Sequence, residues 1–432
     1  MRAAYGLAWA LAAPLAVVRL AWRARRQPGY LAHLGERFGR YRAAAADAPR
    51  IWVHAVSVGE TRAAAPLVEA LLARHPGERI LLTHMTPTGR ATGEALFGDR
   101  VERAWLPYDL GFAVRRFLRR YRPRVAIVLE TEIWPRLLEE CARAGVPALL
   151  ANARLSARSA RRYGRFPRLT RWALGNLAGI AAQTQADARR FESLGAGGVV
   201  VTGNVKFDLA VPQAMRELGG RLRAAFGQHR PVWVAGSTRE GEEALLLDAF
   251  GAMPGAGDAL LVIVPRHPQR FDEVASMAAA KGFVAARRSA IDAIPAAARV
   301  VIGDSMGEML AYYAAADIVV MGGSLLPYGG QNLIEACALA RPVIVGPHTF
   351  NFEEASKGAI AAGAALRVPD AAAALEAAAA LTRDPARLRA MGAAGESFVA
   401  AHRGAVERLL AWIEPRLARA AERGGASGPA SG

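Results

Sequence analysis

Short runs of β-branched and other apolar residues recur along this chain, each followed by a stretch long enough for a helix, and the cycle runs twice. In the first half, candidate strands lie at 51–56, 80–83, 125–129, 148–151, 179–182 and 199–202, with helical patterns at 60–74, 111–121, 135–144 and 157–174 between them. Runs that are apolar throughout belong to strands buried on both faces, and strands separated by helices pair in parallel. This pattern predicts an α/β fold with a parallel sheet covered on both sides. The mixed-polarity stretch 208–230, with Pro212 near one end and Pro231 just past the other, reads as a crossing between domains. After it, strands are expected at 232–235, 259–264, 300–302, 318–321 and 343–345, and a long helical run at 385–417. Two such sheets in tandem leave a cleft, and ligands gather at the carboxyl ends of the strands. The 432 residues then divide into an N-terminal apolar helix (1–28), a first domain (29–207), a linker (208–230), a second domain with its terminal helix (231–418) and a flexible tail (419–432).

The apolar helix sits at the lower limit of length for crossing a bilayer. Residues 3–18 carry no charge, and snorkelling of Arg19 extends the run to Trp22, after which Arg23, Arg25, Arg26, Arg37, Arg40 and Arg42 follow. A basic flank on that side places the body of the protein in the cytoplasm, behind an uncleaved anchor or an interfacial helix. Charge is concentrated in the same half: residues 1–210 hold 33 Lys and Arg against 16 Asp and Glu, the entire excess of +17, whereas residues 211–432 hold 22 of each. An arginine-rich half suits an anionic membrane surface or a phosphorylated substrate. No nucleic-acid-binding module accompanies it, so nucleic acid is not the expected partner. Cys141 and Cys337 are the only cysteines and imply neither a disulfide framework nor a metal site.

Several loops that follow expected strands carry residues suited to chemistry. HAVSVGE (54–60) places Glu60 at the start of a helix, where the dipole favours a carboxylate able to act as a general base. The same Ser57-x-x-Glu60 spacing is a capping box, and both readings stay open. ETEIWP (130–135) carries Glu130 and Glu132, which share a side if the strand persists and part if a turn intervenes. NARLSARSARRY (152–163) contains Arg154, Arg158, Arg161 and Arg162, a phosphate-binding patch or a solvated helix face. NVKFD (204–208) holds Lys206, the sole lysine of the first half, a point charge suited to a carboxylate or phosphate, or an ordinary exposed lysine.

In the second half AGSTREGEE (235–243) offers Ser237, PRHPQRF (265–271) offers Arg266 and His267, and GDSMGEM (303–309) repeats the arrangement. The stretch 322–347, GGSLLPYGGQNLIEACALARPVIVGP, reads as a strand end, a glycine-rich turn, a helix from about Gln331 and a second strand. Its glycines allow close approach of a ligand, and Asn332 and Glu335, three residues apart, share a face able to hold a ribose. An ordinary strand-to-helix turn explains the same residues. No Walker A loop, G-x-G-x-x-G, H-E-x-x-H or D-x-D pair occurs, and nothing calls for a cofactor or a metal.

Taken in order, GERFG, HAVSVGE, ETEIWP, NARLS with RY, GSTREGEE, PRHPQRF, GDSMGEM, GGSLLPYGGQNLIE and GPHTFNF resemble the 3-deoxy-D-manno-octulosonic acid (Kdo) transferases of lipopolysaccharide synthesis over nearly the whole chain. The resemblance implies a B-type glycosyltransferase fold, two Rossmann-like domains facing a cleft. It implies a CMP-Kdo donor held by the second domain and a tetraacylated, bis-phosphorylated lipid A precursor as acceptor at the cytoplasmic face of the inner membrane. It further implies Glu60 as general base, with Glu130 and Lys206 assisting the transition state. The nucleotide is expected against Ser237, Pro265, Arg266, Met306, Gly307, Glu308, Gly330, Asn332, Leu333, Ile334 and Glu335. Ser57, Gly59, Glu132, Arg154 and Arg158 are the candidates for the acceptor side. A membrane-associated UDP-sugar transferase of envelope synthesis is the alternative among enzymes. A non-catalytic basic protein that binds membrane or nucleic acid is the alternative outside them.

Overall fold

The structure, a computed structural model, describes residues 2–25, 27–41, 48–253 and 257–425. Arg26 and Arg42 of the basic flank, and the last seven residues of the expected tail, lie outside the described residues. The chain forms two compact units, one of residues 1–208 with 404–432 and the other of residues 209–403.

In the first unit the strands are β1 (Arg50–His54), β2 (Arg79–His84), β3 (Val101–Trp105), β4 (Pro123–Leu129), β5 (Ala148–Ala153), β6 (Gly179–Ala182) and β7 (Val199–Val201). They pair in the order β3-β2-β1-β4-β5-β6-β7, all parallel. Val53 opposite Ile127 at the centre, like Ile51, Trp52, Ala126 and Val128, is inaccessible to water, as strands covered on both faces require. The second unit contains β8 (Val232–Thr238), β9 (Leu260–Pro265), β10 (Ala285–Arg287), β11 (Val300–Ile302), β12 (Ile318–Met321), β13 (Val343–Val345) and β14 (Ala365–Arg367). Their order is β10-β11-β9-β8-β12-β13-β14, again all parallel. In the second sheet β11 is inserted between β9 and the edge strand β10, and in both sheets the order switches beside the first strand, between β1 and β4 and between β8 and β12. There successive connections leave for opposite faces, and a crevice opens at the carboxyl ends.

Every expected strand is present, but β3, β10 and β14 have no counterpart in the sequence reading. All three are edge strands, and edge strands carry fewer apolar residues because one side is unpaired. The helical stretch expected at 157–174 is broken into Ala157–Gly164 and Pro167–Leu174, Pro167 being unable to continue the first helix.

Two expected boundaries are corrected. Residues 208–230 are not a plain crossing, because Gln213–Phe226 is a helix of the second unit. Its Leu218, Leu222 and Phe226 are buried, and a Cβ on Gly219 would stand 2.5 Å from that of Ala314, so the backbones meet at this glycine. The long run at 385–417 is likewise two helices, Pro385–Ala401 and Ala405–Gly425, separated by Gly404 at φ 84°. The second of these belongs to the first unit, not to the domain expected at 231–418. Its Leu409, Leu410, Ile413 and Leu417 enter the core formed by Ile51, Val53, Leu67 and Ile127. The Asp208 carboxylate caps its start by accepting from the N–H groups of Gly404 (2.6 Å) and Val406.

The helix Arg2–Ala24 contains an apolar segment, Ala4–Ala24, of mean hydropathy 1.5, and lies along the first unit. Tyr5 donates to the Asp109 carboxylate at 2.6 Å, Trp9 Nε1 donates to the Tyr5 hydroxyl at 2.9 Å, and Leu20 packs with Tyr30 and Tyr108. Leu7, Leu11, Leu15, Val18 and Trp22, spaced along one helical face, are each at least 60% exposed.

Because Ile413 is inaccessible to water within the first unit's core, Ile413→Ala should destabilise that unit by about 2–5 kcal/mol. A lowered urea midpoint is the expected readout, and a midpoint equal to that of the unaltered protein would contradict the placement of this helix.

Candidate functional site

In the first unit the site is built where β1 and β4 diverge. Past His54 the chain runs through Val56 into the helix Val58–Arg74, with Ser57 as N-cap. Ser57 Oγ accepts from the Glu60 N–H, and the Glu60 carboxylate reaches back, accepting from Ser57 Oγ at 3.1 Å and from the Val56 N–H at 2.9 Å. The capping box and the poised carboxylate are therefore one arrangement, with the return bond shifted one residue beyond the cap. Burial pushes the Glu60 carboxyl up to about 7, with the charges of Glu130 and Glu132 adding and the bonds from Val56 and Ser57 opposing. Gly59 is exposed at the first turn of the helix.

β4 ends at Leu129, and Glu130 adopts a left-handed φ of 58°, a strained position for a residue with a Cβ. This turn parts the two carboxylates. Glu130 accepts from Lys206 Nζ at 2.7 Å, while Glu132 accepts from Trp134 Nε1 at 2.8 Å. Burial raises the Glu132 carboxyl, the Trp134 bond opposes, and Glu130 adds to the rise. Lys206 stands on the short 3₁₀ segment Val205–Asp208, which Asn152 positions by accepting from the Val205 N–H at 3.2 Å. Asn152 closes β5 at a left-handed φ of 49°, a conformation asparagine tolerates; an Asn directly after an apolar run was the signal for it.

Other members of these motifs serve elsewhere. His54 is fully buried, with Nδ1 2.8 Å from Thr83 Oγ1, and burial with the nearby His84 lowers its imidazole to about 3, so it is a neutral core residue. Arg154 lies in the loop directly after β5, whereas Arg158, Arg161, Arg162 and Arg165 line a separate hollow of about 550 Å³. The single basic patch expected from the sequence is thus divided between a strand end and a helix face.

The second unit repeats the design where β8 and β12 diverge. Ser237 near the end of β8 has φ 57°. Pro265 ends β9, and exposed Arg266 and His267 follow. Burial lowers the His267 imidazole, and Arg239, Arg266 and Arg270 lower it further, so three cations converge on this loop. Glu308, beyond exposed Met306 and Gly307 at φ 84°, accepts from Ser305 Oγ at 2.6 Å and from Arg288 Nε at 3.1 Å. Sequence reasoning passed over both Arg239 and Arg288.

In the glycine-rich turn, Asn332 Nδ2 donates to Glu335 Oε1 at 3.0 Å, the shared face expected from their spacing. The helix after the turn starts at Ile334, later than expected, and spans only Ile334–Cys337. Leu333 and Ile334 are inaccessible to water as whole residues, and the Ile334 N–H is already donated to Asn332 Oδ1 at 3.3 Å. Burial pushes the Tyr313 phenol well above its ordinary value, with Glu335 adding and Arg266 opposing, which sets both charges within reach of one ring. Gly322 and Gly330 have their N–H groups bonded to Gly236 O and Gly323 O, so these two are already committed inside the protein.

Two doubly wound parallel units, each with polar loops at its switch point, define the two-domain B-type glycosyltransferase architecture. The protein HepE from Anabaena, solved in complex with UDP and glucose, has this fold with 14% identity and a TM-score of 0.56, over 85% of this chain and 99% of that one. The UDP-GlcNAc 2-epimerase from Neisseria meningitidis has it with 16% identity and a TM-score of 0.56, over 84% and 99%. At finer grain, the family model for 3-deoxy-D-manno-octulosonic-acid transferases matches residues 32–209. A 3-deoxy-D-manno-octulosonic acid transferase of Bordetella pertussis is 49% identical over 96% of this chain and 99% of its own length. One of Haemophilus influenzae is 39% identical over 91% and 93%. The chain belongs to the family of Kdo transferases, glycosyltransferases of lipopolysaccharide synthesis.

A Cβ added at Gly322 would lie 2.4 Å from the carbonyl oxygen of Ser237. Gly322→Ala should therefore force β8 and β12 apart at their ends, costing about 1–3 kcal/mol in thermal or urea unfolding of the second unit. Unchanged stability would contradict the close approach.

Proposed function

We propose that this Kdo transferase uses CMP-Kdo as donor and the tetraacyldisaccharide 1,4'-bisphosphate precursor of lipid A as acceptor, with inversion at the anomeric carbon. The observation that carries the reading is the Glu60 carboxyl, held at the carboxyl end of β1 with its proton affinity raised to about 7. A base of that strength exchanges protons efficiently near neutral pH. In the proposed reaction Glu60 takes the proton of the acceptor 6'-hydroxyl as its oxygen forms a bond to C2 of Kdo. The bond from C2 to the phosphate oxygen breaks on the opposite face, and its electron pair leaves with CMP. Glu130 and Lys206 tune this centre: Glu130 adds to the proton affinity of Glu60, and Lys206 neutralises part of the acidic cluster. Charge growing on the leaving phosphate falls to the second unit, where Arg266 with Arg239 supplies cations and Ser237 and Met306–Glu308 supply adjoining loops. Asn332 and Glu335 are proposed to hold the ribose, with Pro265, Gly330, Leu333 and Ile334 as the wall and turn that support them. Ser57, Gly59, Glu132, Arg154 and Arg158 remain the acceptor-side candidates.

We place the reaction at the cytoplasmic face of the inner membrane, with the helix Arg2–Ala24 lying in the interface. Its inner face is packed along the first unit, so the exposed stripe Leu7, Leu11, Leu15, Val18 and Trp22 is free to enter the acyl boundary. The arginine hollow at Arg158–Arg165 and exposed Phe166 suit the same anionic surface, each Arg contributing about 1 kcal/mol there.

Incubation with CMP-Kdo and the lipid precursor, with products weighed by mass spectrometry, tests the activity. Protection from thermal unfolding by CMP and not by UMP tests the donor. Glu60→Gln should lower kcat by about 10²–10⁴-fold while CMP affinity is retained. A folded variant that transfers at the unaltered rate would remove Glu60 from the chemistry.

The active form of Glu60 is the carboxylate, so kcat/KM should fall as pH drops through about 7. Glu130→Gln deletes a like charge and leaves the Lys206 cation uncompensated. Both changes lower the proton affinity of Glu60, so the acid limb moves to lower pH. A limb that stays in place contradicts this coupling.

Replacing Leu11 and Leu15 together by Asp should weaken binding to anionic vesicles on the order of 100-fold or more. Binding unaffected by that change would rule out the exposed stripe as the contact.

A further inference from the structure

The polar start of the helix Glu242–Ala252 contains a carboxylate that the proposed mechanism does not use. Glu242 is inaccessible to water, and both its oxygens point into backbone donors. Oε2 accepts from the N–H groups of Gly323 at 2.6 Å and Arg239 at 2.8 Å. Oε1 accepts from those of Leu325 at 3.0 Å and Leu326 at 3.4 Å. Four donors saturate the four lone-pair positions of a carboxylate, and the first turn of the helix adds a favourable dipole. The side chain thus ties the loop after β8 to the turn after β12, the two strand ends that flank the switch point of this sheet.

The surroundings leave this turn little freedom. Gly241, at φ 91°, lies where a Cβ would stand 2.9 Å from Leu326 Cδ1. A Cβ on Gly346 would stand 2.3 Å from the carbonyl oxygen of Ser324. The Arg239 guanidinium lies 4.7 Å from the centre of the Tyr328 ring, and the Tyr328 hydroxyl donates to Glu240 O at 3.0 Å. Gly330 N–H closes the turn onto Gly323 O at 2.6 Å.

We propose that Glu242 is the positioning residue of the nucleotide site: its buried carboxylate builds the turn 322–330 into its binding shape before the nucleotide arrives, setting Gly330, Asn332 and Glu335 in place. Because the N–H groups of Gly323, Leu325 and Leu326 are bonded to Glu242, the turn binds through what it carries and not through an anion hole of its own. The inference rests on the reading that the second unit holds CMP.

The test uses the full chain. Glu242→Gln keeps the shape but leaves one acceptor oxygen and sets an NH₂ against backbone donors. Expected are a rise on the order of 10-fold in the Kd for CMP and the KM for CMP-Kdo, with kcat at saturating donor within about three-fold of the unaltered enzyme. A merely structural role predicts lower thermal stability with KM unmoved, and that result overturns the proposal. Amide exchange on the unaltered protein needs no variant: peptides covering 322–327 should be protected without CMP and change little when CMP is added. A segment that exchanges freely until CMP binds overturns pre-organisation even if Glu242→Gln fails to fold. An unaltered protein that binds no CMP defeats the nucleotide reading itself, whereas equal CMP affinity in both proteins defeats only the role of Glu242.

Discussion

Parallel pairing with a reversal of strand order beside the first strand of each sheet is the constraint on which everything else here depends. It forces the connections on either side of the reversal to leave for opposite faces, and the gap so created lies at the carboxyl ends of two neighbouring strands. In the first unit those ends carry Glu60 and Glu130, and in the second they carry Ser237 and the turn beginning at Gly322. Glu130, Asn152 and Ser237, all at or just past strand ends, hold left-handed backbone angles that cost a residue with a Cβ roughly 1–2 kcal/mol. The cost is offset locally, by Lys206 at Glu130 and by the Val205 N–H at Asn152. Three of the six left-handed residues other than glycine among the described residues thus stand at these strand ends, the others being His33, Arg122 and Ala340.

The two units solve different electrostatic problems at equivalent places. Around Glu60, burial and like charges work against ionisation and raise its proton affinity toward neutrality, as the proposed role of general base requires. Around His267 the arginines Arg239, Arg266 and Arg270 lower the imidazole, and Arg270 is itself paired with Glu243 and Glu273. The buried carboxylate of Glu242 belongs to neither pattern. Its charge is met by backbone donors, which makes it part of the architecture of the turn 322–330.

The sequence disclosed the central strands readily, because runs such as Ile51–Val53 and Val125–Leu129 are buried on both faces and can be little else. It hid the edge strands β3, β10 and β14, whose Glu102, Arg103, Arg287 and Arg367 break the apolar signal. It also hid the return of the helix Ala405–Gly425 to the first unit, since a helix bears no local mark of which sheet it covers. At the site, Glu60, Glu130 and Lys206 each stood out by position after a strand, yet the ion pair between Lys206 and Glu130 joins residues 76 apart and exists only in the fold. Glu242 looked like an ordinary polar helix start, because burial is invisible in composition. The burial of Leu333 and Ile334 was hidden as well, since sequence adjacency to Asn332 says nothing about which way a residue faces.

The account stands or falls on the Glu60 carboxyl. Carbon-13 NMR of selectively labelled glutamate, with the resonance assigned through Glu60→Gln, measures its titration directly in the intact protein. The account requires a midpoint near 7, set by burial and the neighbouring carboxylates. A midpoint in the ordinary range of an exposed glutamate, about 4.3, would contradict it.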